Sequence, residues 1–301
     1  MFQDELEKFV TENPKLVSKK SVGNGIYLLK YKKRVFYDNL WNEYLEFCRG
    51  TIVDEEFNVV SMPFRKIYNY GVEAKAPIIS PDTQVTAFRK VNGFMVAVTV
   101  YRGELLVSTT GSTSGDFVEY AREMMVKHSS LEDWRILLNT ADTEGMTFMF
   151  ECVHPADPHI CPEKPGMYLL GYRENSWDSR VGHDPFTIQD LARSLNCWTA
   201  ESLTTNMVQL QAMAKIARHE GYVFYTADGR SAKIKSPYYL TSKWVARNPR
   251  TDKLVDTKND IKKNLDEEYY PLVDAIRANI VEYTAMDEQG RLAWVRNFVG
   301  G

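Results

Sequence analysis

The chain has 301 residues, 44% of them apolar and 26% charged, with a formal net charge of −3, enough for two domains or one large one with a sizeable core. This balance excludes a global basic field, so any nucleic-acid contact must come from a local patch. No apolar run approaches the roughly 20 residues that span a bilayer, and the four cysteines (Cys48, Cys152, Cys161, Cys197) do not suggest a disulfide framework.

The start, "MFQDELEKFV", is acidic and amphipathic and does not read as a signal peptide; a reduced, cytoplasmic protein is expected, with no membrane association. Residues 3–11 are predicted to form a short helix before Pro14. "GIYLLKYKKRVFY" (25–37) reads as a strand, and "GTIVDEEFNVV" (50–60) as a hairpin around an acidic turn. A second hairpin is predicted over 86–109, turning at "YRGE". Ser114 is the expected cap of a helix through "DFVEYAREMMVKH", and Ser130 of the next, "LEDWRILLNTA" (131–141). "MTFMFECV" and "MYLLGYR" return to strand, helices follow near 187–195 and 206–219, and "GYVFYTADGRSAKIKS" is a hairpin turning at Asp228-Gly229. After Ser236 the character changes. Residues 257–299 carry helical periodicity, with Leu272, Val273, Ile276, Ile280 and Tyr283 on one stripe and Leu292, Val295 and Phe298 on another. The expected architecture is α+β, residues 1–243, followed by a small all-helical domain, 244–301.

Several strands hold polar residues where apolar ones would be ordinary. Glu151 interrupts "FMFECV", Glu220 opens "EGYVFY", and Lys233 and Lys235 stand two apart, so both point to one face. Lys90 lies between Phe88 and the turn-forming pair Asn92-Gly93. Any one of these charges is more simply a solvated strand residue. Together, two carboxylates and the cations Arg49, Lys66, Lys90, Lys233 and Lys235 suit a polyphosphate with a divalent metal. The apolar flanks Phe88 and Phe94, with Lys233 and Lys235 as like charges, are expected to lower the pKa of Lys90 and free a nucleophilic amine.

The motif order resembles the covalent nucleotidyltransferases, most closely the phage RNA ligase 1 family. The resemblance rests on "KVNG" (90–93), "FMFECV" (148–153), "YLLGYREN" (168–175), "EGYV" (220–223) and "KIKS" (233–236), preceded by "CRG" (48–50) and "PFRKIYN" (63–69). It spans about residues 25–243 and implies a fold of ATP-grasp-like antiparallel sheets with flanking helices. It also implies an ATP-dependent ligase that joins 5′-phosphate to 3′-hydroxyl ends of RNA, with DNA ends as an alternative, in the cytoplasm of a phage-infected host. In that family pattern Lys90 takes AMP from ATP, and Glu151 binds the ribose. Glu220 holds Mg2+ or Mn2+, and Lys233 and Lys235 contact the α-phosphate. Arg49 and Lys66 lie near the outer phosphates, and Val223 packs on adenine with Tyr172 as an aromatic neighbour. Phe88, Asn92 and Gly93 complete the nucleotide-binding set, and a monomer is expected.

Two departures stand out. Asn92 replaces the Asp that the family often carries, and "VSTTGS" (107–112) lacks both lysines of a relative's "KSKGS". The tail after 243 is also short for the family, whose helices there carry substrate specificity. Competing readings are a capping-type guanylyltransferase and a catalytically silent nucleic-acid-binding relative; the intact set of five charged residues argues against silence. "CVHPADPHIC" (152–161) offers zinc-type ligands without a second knuckle and reads as a structural loop. "KYKKRVFY" (30–37) is either an edge strand protected by lysines or a surface for phosphates and bases.

Overall fold

Three sheets and a helical tail are laid out by a computed structural model that describes residues 2–140, 143–247, 251–258, 260–265 and 269–300. After α1 (Phe2–Glu12) come β1 (Val17–Ser21) and β2 (Tyr27–Tyr31), two short helices α2 (Lys33–Tyr37) and α3 (Glu43–Phe47), then β3 (Arg49–Val53) and β4 (Val59–Ser61). These four strands form the first sheet in sequence order, all antiparallel. The middle of the chain supplies β5 (Gln84–Arg89), β6 (Phe94–Tyr101), β7 (Glu104–Thr109), α4 (Asp116–His128), α5 (Leu131–Leu137), β8 (Met146–Val153), β9 (Gly166–Glu174), α6 (Pro185–Ser194) and β10 (Trp198–Thr199). Next are β11 (Ser202–Asn206), α7 (Met207–Ile216), β12 (Gly221–Thr226) and β13 (Ser231–Lys235). The second sheet runs β10-β9-β8-β6-β7, antiparallel except for the β10–β9 pair, and the third runs β11-β5-β12-β13.

Each sheet buries one face beneath helices. Val96, Val98, Phe148 and Phe150 of the second sheet pack against Met124 and Met125 of α4 and Trp134 of α5. Ala87 and Phe224 of the third pack on Met207 and Leu210 of α7. Such helix-on-sheet layering is the ordinary way to close an α+β core.

The remaining elements are α8 (Pro237–Arg247), α9 (Thr251–Val255), a 3-10 turn (Ile261–Asn264), α10 (Tyr270–Ala278), α11 (Ile280–Ala285) and α12 (Glu288–Gly300). Tyr239 and Val245 of α8 join Leu272, Val273, Ile276, Tyr283, Leu292 and Val295 in a separate core, so α8 runs unbroken through residue 243. Among the described residues no helix is long and apolar enough to cross a membrane.

Several expectations need correction. The strand at 25–37 ends at Tyr31, and 33–37 form a turn of helix that buries Val35 and leaves Phe36 and Tyr37 outside. A strand would have had to bury Lys33, Val35 and Tyr37 together. The 86–109 hairpin is really β6–β7, closing at Tyr101↔Glu104, while β5 belongs to the third sheet. The cap of α4 is Gly115, at φ +91°, not Ser114. Ser130 does cap α5, in a reciprocal box with Asp133. That helix stops at Leu137, and Ala141 of the predicted run lies outside the described residues. In the tail, the first stripe is split between α10 and α11, and Phe298 is exposed and stacks on Trp294; residues 259 and 266–268 of the predicted helical stretch lie outside the described residues.

Candidate active site

Because β5 and β6 lie in different sheets, residues 90–93 form the crossing between them. The Lys90 backbone N–H donates to Gly221 O at 2.8 Å, which continues the β5–β12 ladder up to the crossing. Gly93 then presses on β8 so closely that a Cβ would overlap Cys152 O, and its N–H donates to Glu151 Oε1 at 3.0 Å. Gly221 is equally constrained: at φ +130° it faces Lys235, and a Cβ would overlap Ile234 O. Glycine at 93 thus lets the crossing lie close on β8 of the second sheet, and glycine at 221 lets β12 lie close on β13 of the third, on either side of one side chain.

That side chain is Lys90. Its Nζ is 3.1 Å from Glu220 Oε2 and 4.0 Å from Glu151 Oε1. Asn92 Nδ2 donates to the same Glu220 oxygen at 2.5 Å, and Lys235 Nζ lies 3.5 Å from Glu220 Oε1. The amide at position 92 is therefore a donor to Glu220, a role that a carboxylate could fill only when protonated. Asn92 Oδ1 is buried without a hydrogen-bond partner.

Two cavities meet at Lys90 and Lys233. The first, about 240 Å³, is lined by Phe88, Val223 and Lys233, which sit opposite one another across β5, β12 and β13. Arg49, Glu151 and Leu170 also line it. The second, about 280 Å³, holds Asn92, Gly93, Glu220 and Lys235 and is closed by Tyr239, Lys243 and Arg247 of α8.

The charges decide the protonation states. Burial works against the Lys90 ammonium, but Glu151 and Glu220 outweigh it, so its pKa is raised. The expectation of a lowered pKa is overturned. It overlooked two carboxylates brought in from β8 and from the residue before β12, and Phe94 turns away to stack edge-on with Phe117. Glu220 is held below the ordinary carboxylate value: burial opposes this, but Lys90, Lys235 and the Asn92 amide prevail. Lys233, by contrast, is depressed. Burial, then Lys66, Lys235, Lys90 and Arg49, bring it down to about 7.

Two predicted site residues do not join this group. Lys66 donates to Glu73 at 2.6 Å and lies over the Tyr68 ring; it lines neither cavity, although it is near enough to depress Lys233. Tyr172 packs on Gly182 and stacks with Phe148. A bulge in β9 between Leu169 and Gly171 puts Leu170, not Tyr172, at the cavity.

Other residues in and around the site escaped the sequence reading. Arg89 is held by a bidentate pair with Glu163, both at 2.9 Å. Glu73 fixes Lys66, and Tyr225 forms part of the apolar wall. No spacing pattern marks them. The lysine-free loop has a cation after all: Lys30 Nζ from β2 sits against Gly111, next to Thr110 of the first cavity. In the cysteine–histidine loop, His154 bonds Glu123 and His159 bonds Asp157, both within 2.9 Å.

The sequence model of a family described as RNA ligase matches residues 47–239. The fold is similar to that of an archaeal ATP-dependent RNA ligase, with a TM-score of 0.56 at 12% identity over 97% of this chain and 77% of that one. It is also similar to a candidate ATP-dependent DNA ligase from Aquifex aeolicus, with a TM-score of 0.55 at 14% identity over 99% and 76%. At such identities the structural likeness speaks for the fold, the nucleotidyltransferase fold of ATP-dependent ligases.

Proposed function

The chain belongs to the RNA ligase family, and from that premise we propose that it seals 5′-phosphate to 3′-hydroxyl ends of RNA through a lysine–AMP intermediate on Lys90. Residues 1–243 would carry the chemistry, with 244–301 as an appended helical domain. The observation that carries this reading is the position of Lys90. It lies between two carboxylates and lines both cavities, the first with an apolar side at Phe88, Leu170 and Val223.

In this reading adenine enters the first cavity against Phe88 and Val223, and Glu151 accepts the ribose hydroxyls. Those hydrogen bonds weaken the hold of Glu151 on the Lys90 proton, while Lys233 and Lys235 remain as like charges. The ammonium proton passes to solvent, and the neutral amine attacks the α-phosphate. The P–N bond forms as the P–O bond to pyrophosphate breaks, and the proton shed by the new P–N nitrogen goes to solvent or to the departing pyrophosphate. Lys233 and Lys235 balance the charge that builds on the phosphoryl oxygens. AMP passes next to a 5′-phosphate end, and attack by a 3′-hydroxyl releases it.

Among the described residues no three His, Cys, Asp or Glu side chains gather to hold a metal. Glu220, kept ionised, is nevertheless the kind of oxygen ligand that Mg2+ or Mn2+ takes when substrate phosphates and water supply the rest. Such an ion would neutralise phosphate charge.

Incubation with labelled ATP or GTP separates the alternatives. ATP is expected to label the protein covalently. Labelling by GTP alone would mean a capping-type enzyme, and no label from either would mean a silent relative.

ATP affinity should also depend on pH through Lys233. A phosphate binds the protonated lysine better. Below the free-state pKa of about 7 that proton is already present; above it, binding must take one up. The dissociation constant is therefore expected to rise with pH above about 7, by at most about tenfold per unit for a single proton. Calorimetry with an unreactive ATP analogue reads this directly, and a flat profile would remove Lys233 from the phosphate contacts.

A further inference from the structure

A third hollow, of about 400 Å³, is enclosed by the segment 64–67, the loop after β9 and the β12–β13 turn. Phe64, Arg65, Ile67 and Tyr225 line both this groove and the first cavity, but Lys90, Glu151, Glu220 and Lys233 do not reach it. Three arginines do: Arg65, Arg173 and Arg180. Lys66 lines it as well but is committed to Glu73 at 2.6 Å. The two carboxylates of the groove are also held elsewhere. Asp178 accepts from Ser176, and Asp228 pairs with Arg230 at 2.8 Å.

Arg173, in β9, is 2% exposed. Its guanidinium bonds Ser179, from Nε to Oγ at 3.0 Å and from Nη2 to the backbone O. A guanidinium carries five N–H donors, and Ser179 is the one hydrogen-bond partner that Arg173 has among the described residues. No carboxylate there pairs with it. Burial first, and then the Arg65 charge, bring its pKa down to about 10. Arg65 donates to Trp177 O at 3.1 Å and lies 3.9 Å over the Phe47 ring, again without an ion pair. Arg180 is exposed and unpaired among the described residues. Bracing the 176–181 loop accounts for two donors of Arg173. It does not account for burying a charge beside another arginine, since buried cations are ordinarily matched by an anion.

We propose that this groove is a second anion site, in which Arg65, Arg173 and Arg180 take a phosphate group distinct from those of the nucleotide at Lys90. Paired guanidinium N–H groups suit phosphate oxygens in geometry as well as charge. At about 400 Å³ there is room for a phosphate, the sugar that bears it and several waters. The phosphate has two sources of the same chemistry: the backbone of an RNA strand, or a phosphorylated small molecule. The first source rests on the ligase reading above; the anion site itself does not.

Equilibrium binding to the full chain tests this with two probes. One is inorganic phosphate. The other is a short oligouridylate with a 5′-hydroxyl, which offers backbone phosphates but no end to receive AMP. Arg180→Ala is expected to weaken at least one probe by about tenfold, the scale of a lost charge-assisted contact. For the oligonucleotide, the slope of log affinity against log salt should also fall by about 0.7, one phosphate contact of a single strand. AMP affinity and melting temperature should stay unchanged. Arg173→Gln keeps a donor for Ser179 O and removes the charge, and it should weaken the same probe. If Arg173 only braces its loop, that variant melts earlier and binds as the parent does. A loss seen with the oligonucleotide assigns the site to a strand, and a loss seen with inorganic phosphate alone assigns it to a small molecule. If Arg180→Ala leaves both affinities unchanged, or weakens the oligonucleotide alone without moving the salt slope, the proposal is overturned. None of these titrations uses ATP. A chain that binds as described but never labels would therefore count against the ligase reading, and one that labels but ignores Arg180→Ala would count against this site.

Discussion

Lys90→Ala is expected to reduce covalent labelling by ATP by on the order of 10⁴-fold or more, to the background of the assay, because the attacking amine itself is removed. The effect should split by step. Sealing of a 5′-phosphorylated donor is lost with the label, whereas a donor already bearing AMP is still sealed, since that last step uses no lysine adduct. Removing the ammonium also strips an ion-pair partner from Glu151 and Glu220, both buried. The variant should therefore lose roughly 1–3 kcal/mol of stability, less than a fully orphaned pair because Lys235, Asn92 and the Gly93 N–H remain as partners. Lys90→Arg separates the two effects. It restores the charge and most of the melting temperature but stays unlabelled, because a guanidinium does not give up its proton near neutral pH.

Glu220→Gln carries the second-largest expected effect. It keeps the shape at the start of β12 and removes the charge that Lys90, Asn92 and Lys235 share. Labelling should fall by roughly 10²- to 10³-fold, as when an electrostatic stabiliser is lost at a phosphoryl-transfer site, and EDTA should abolish labelling of the parent. A subtler signature follows from the raised pKa of Lys90. Taking away one of the two anions responsible lowers that pKa, so the residual activity of Glu220→Gln should rise at lower pH than the parent's. Full, EDTA-resistant labelling by Glu220→Gln would remove both Glu220 and the metal from the mechanism.

What the sequence discloses here follows how local the information is. An apolar run with an odd carboxylate marked β8, the Asp228-Gly229 turn marked β12–β13, and Ser130 as a cap marked the start of α5. Lys233 and Lys235 could be put on one face because strand parity is a two-residue rule. What stayed hidden depends on partners distant in the chain. Asn92-Gly93 has the composition of a hairpin, yet the strands on either side of it go to different sheets, a choice made by β12 and β8. Lys66 is drawn to Glu73, and Tyr172 is turned aside by a bulge in β9 that no residue type announces. The protonation of Lys90 is the sharpest case. Its immediate neighbours are apolar, but the carboxylates that govern it come from residues 151 and 220. Lys243 and Arg247 carry no spacing signal; the placement of α8 against the cavity brings them to it.

The central claim is that Lys90 itself carries the nucleotide. The most direct measurement is to incubate the protein with ATP and a divalent metal, digest it after denaturation, and find the modified peptide by mass spectrometry. The account predicts a single AMP adduct, through a phosphoramidate, on the Lys90 side chain between Arg89 and Val91. An adenylate on any other residue, or an ATP-competent protein with Lys90 unmodified at every stage of the reaction, would contradict it.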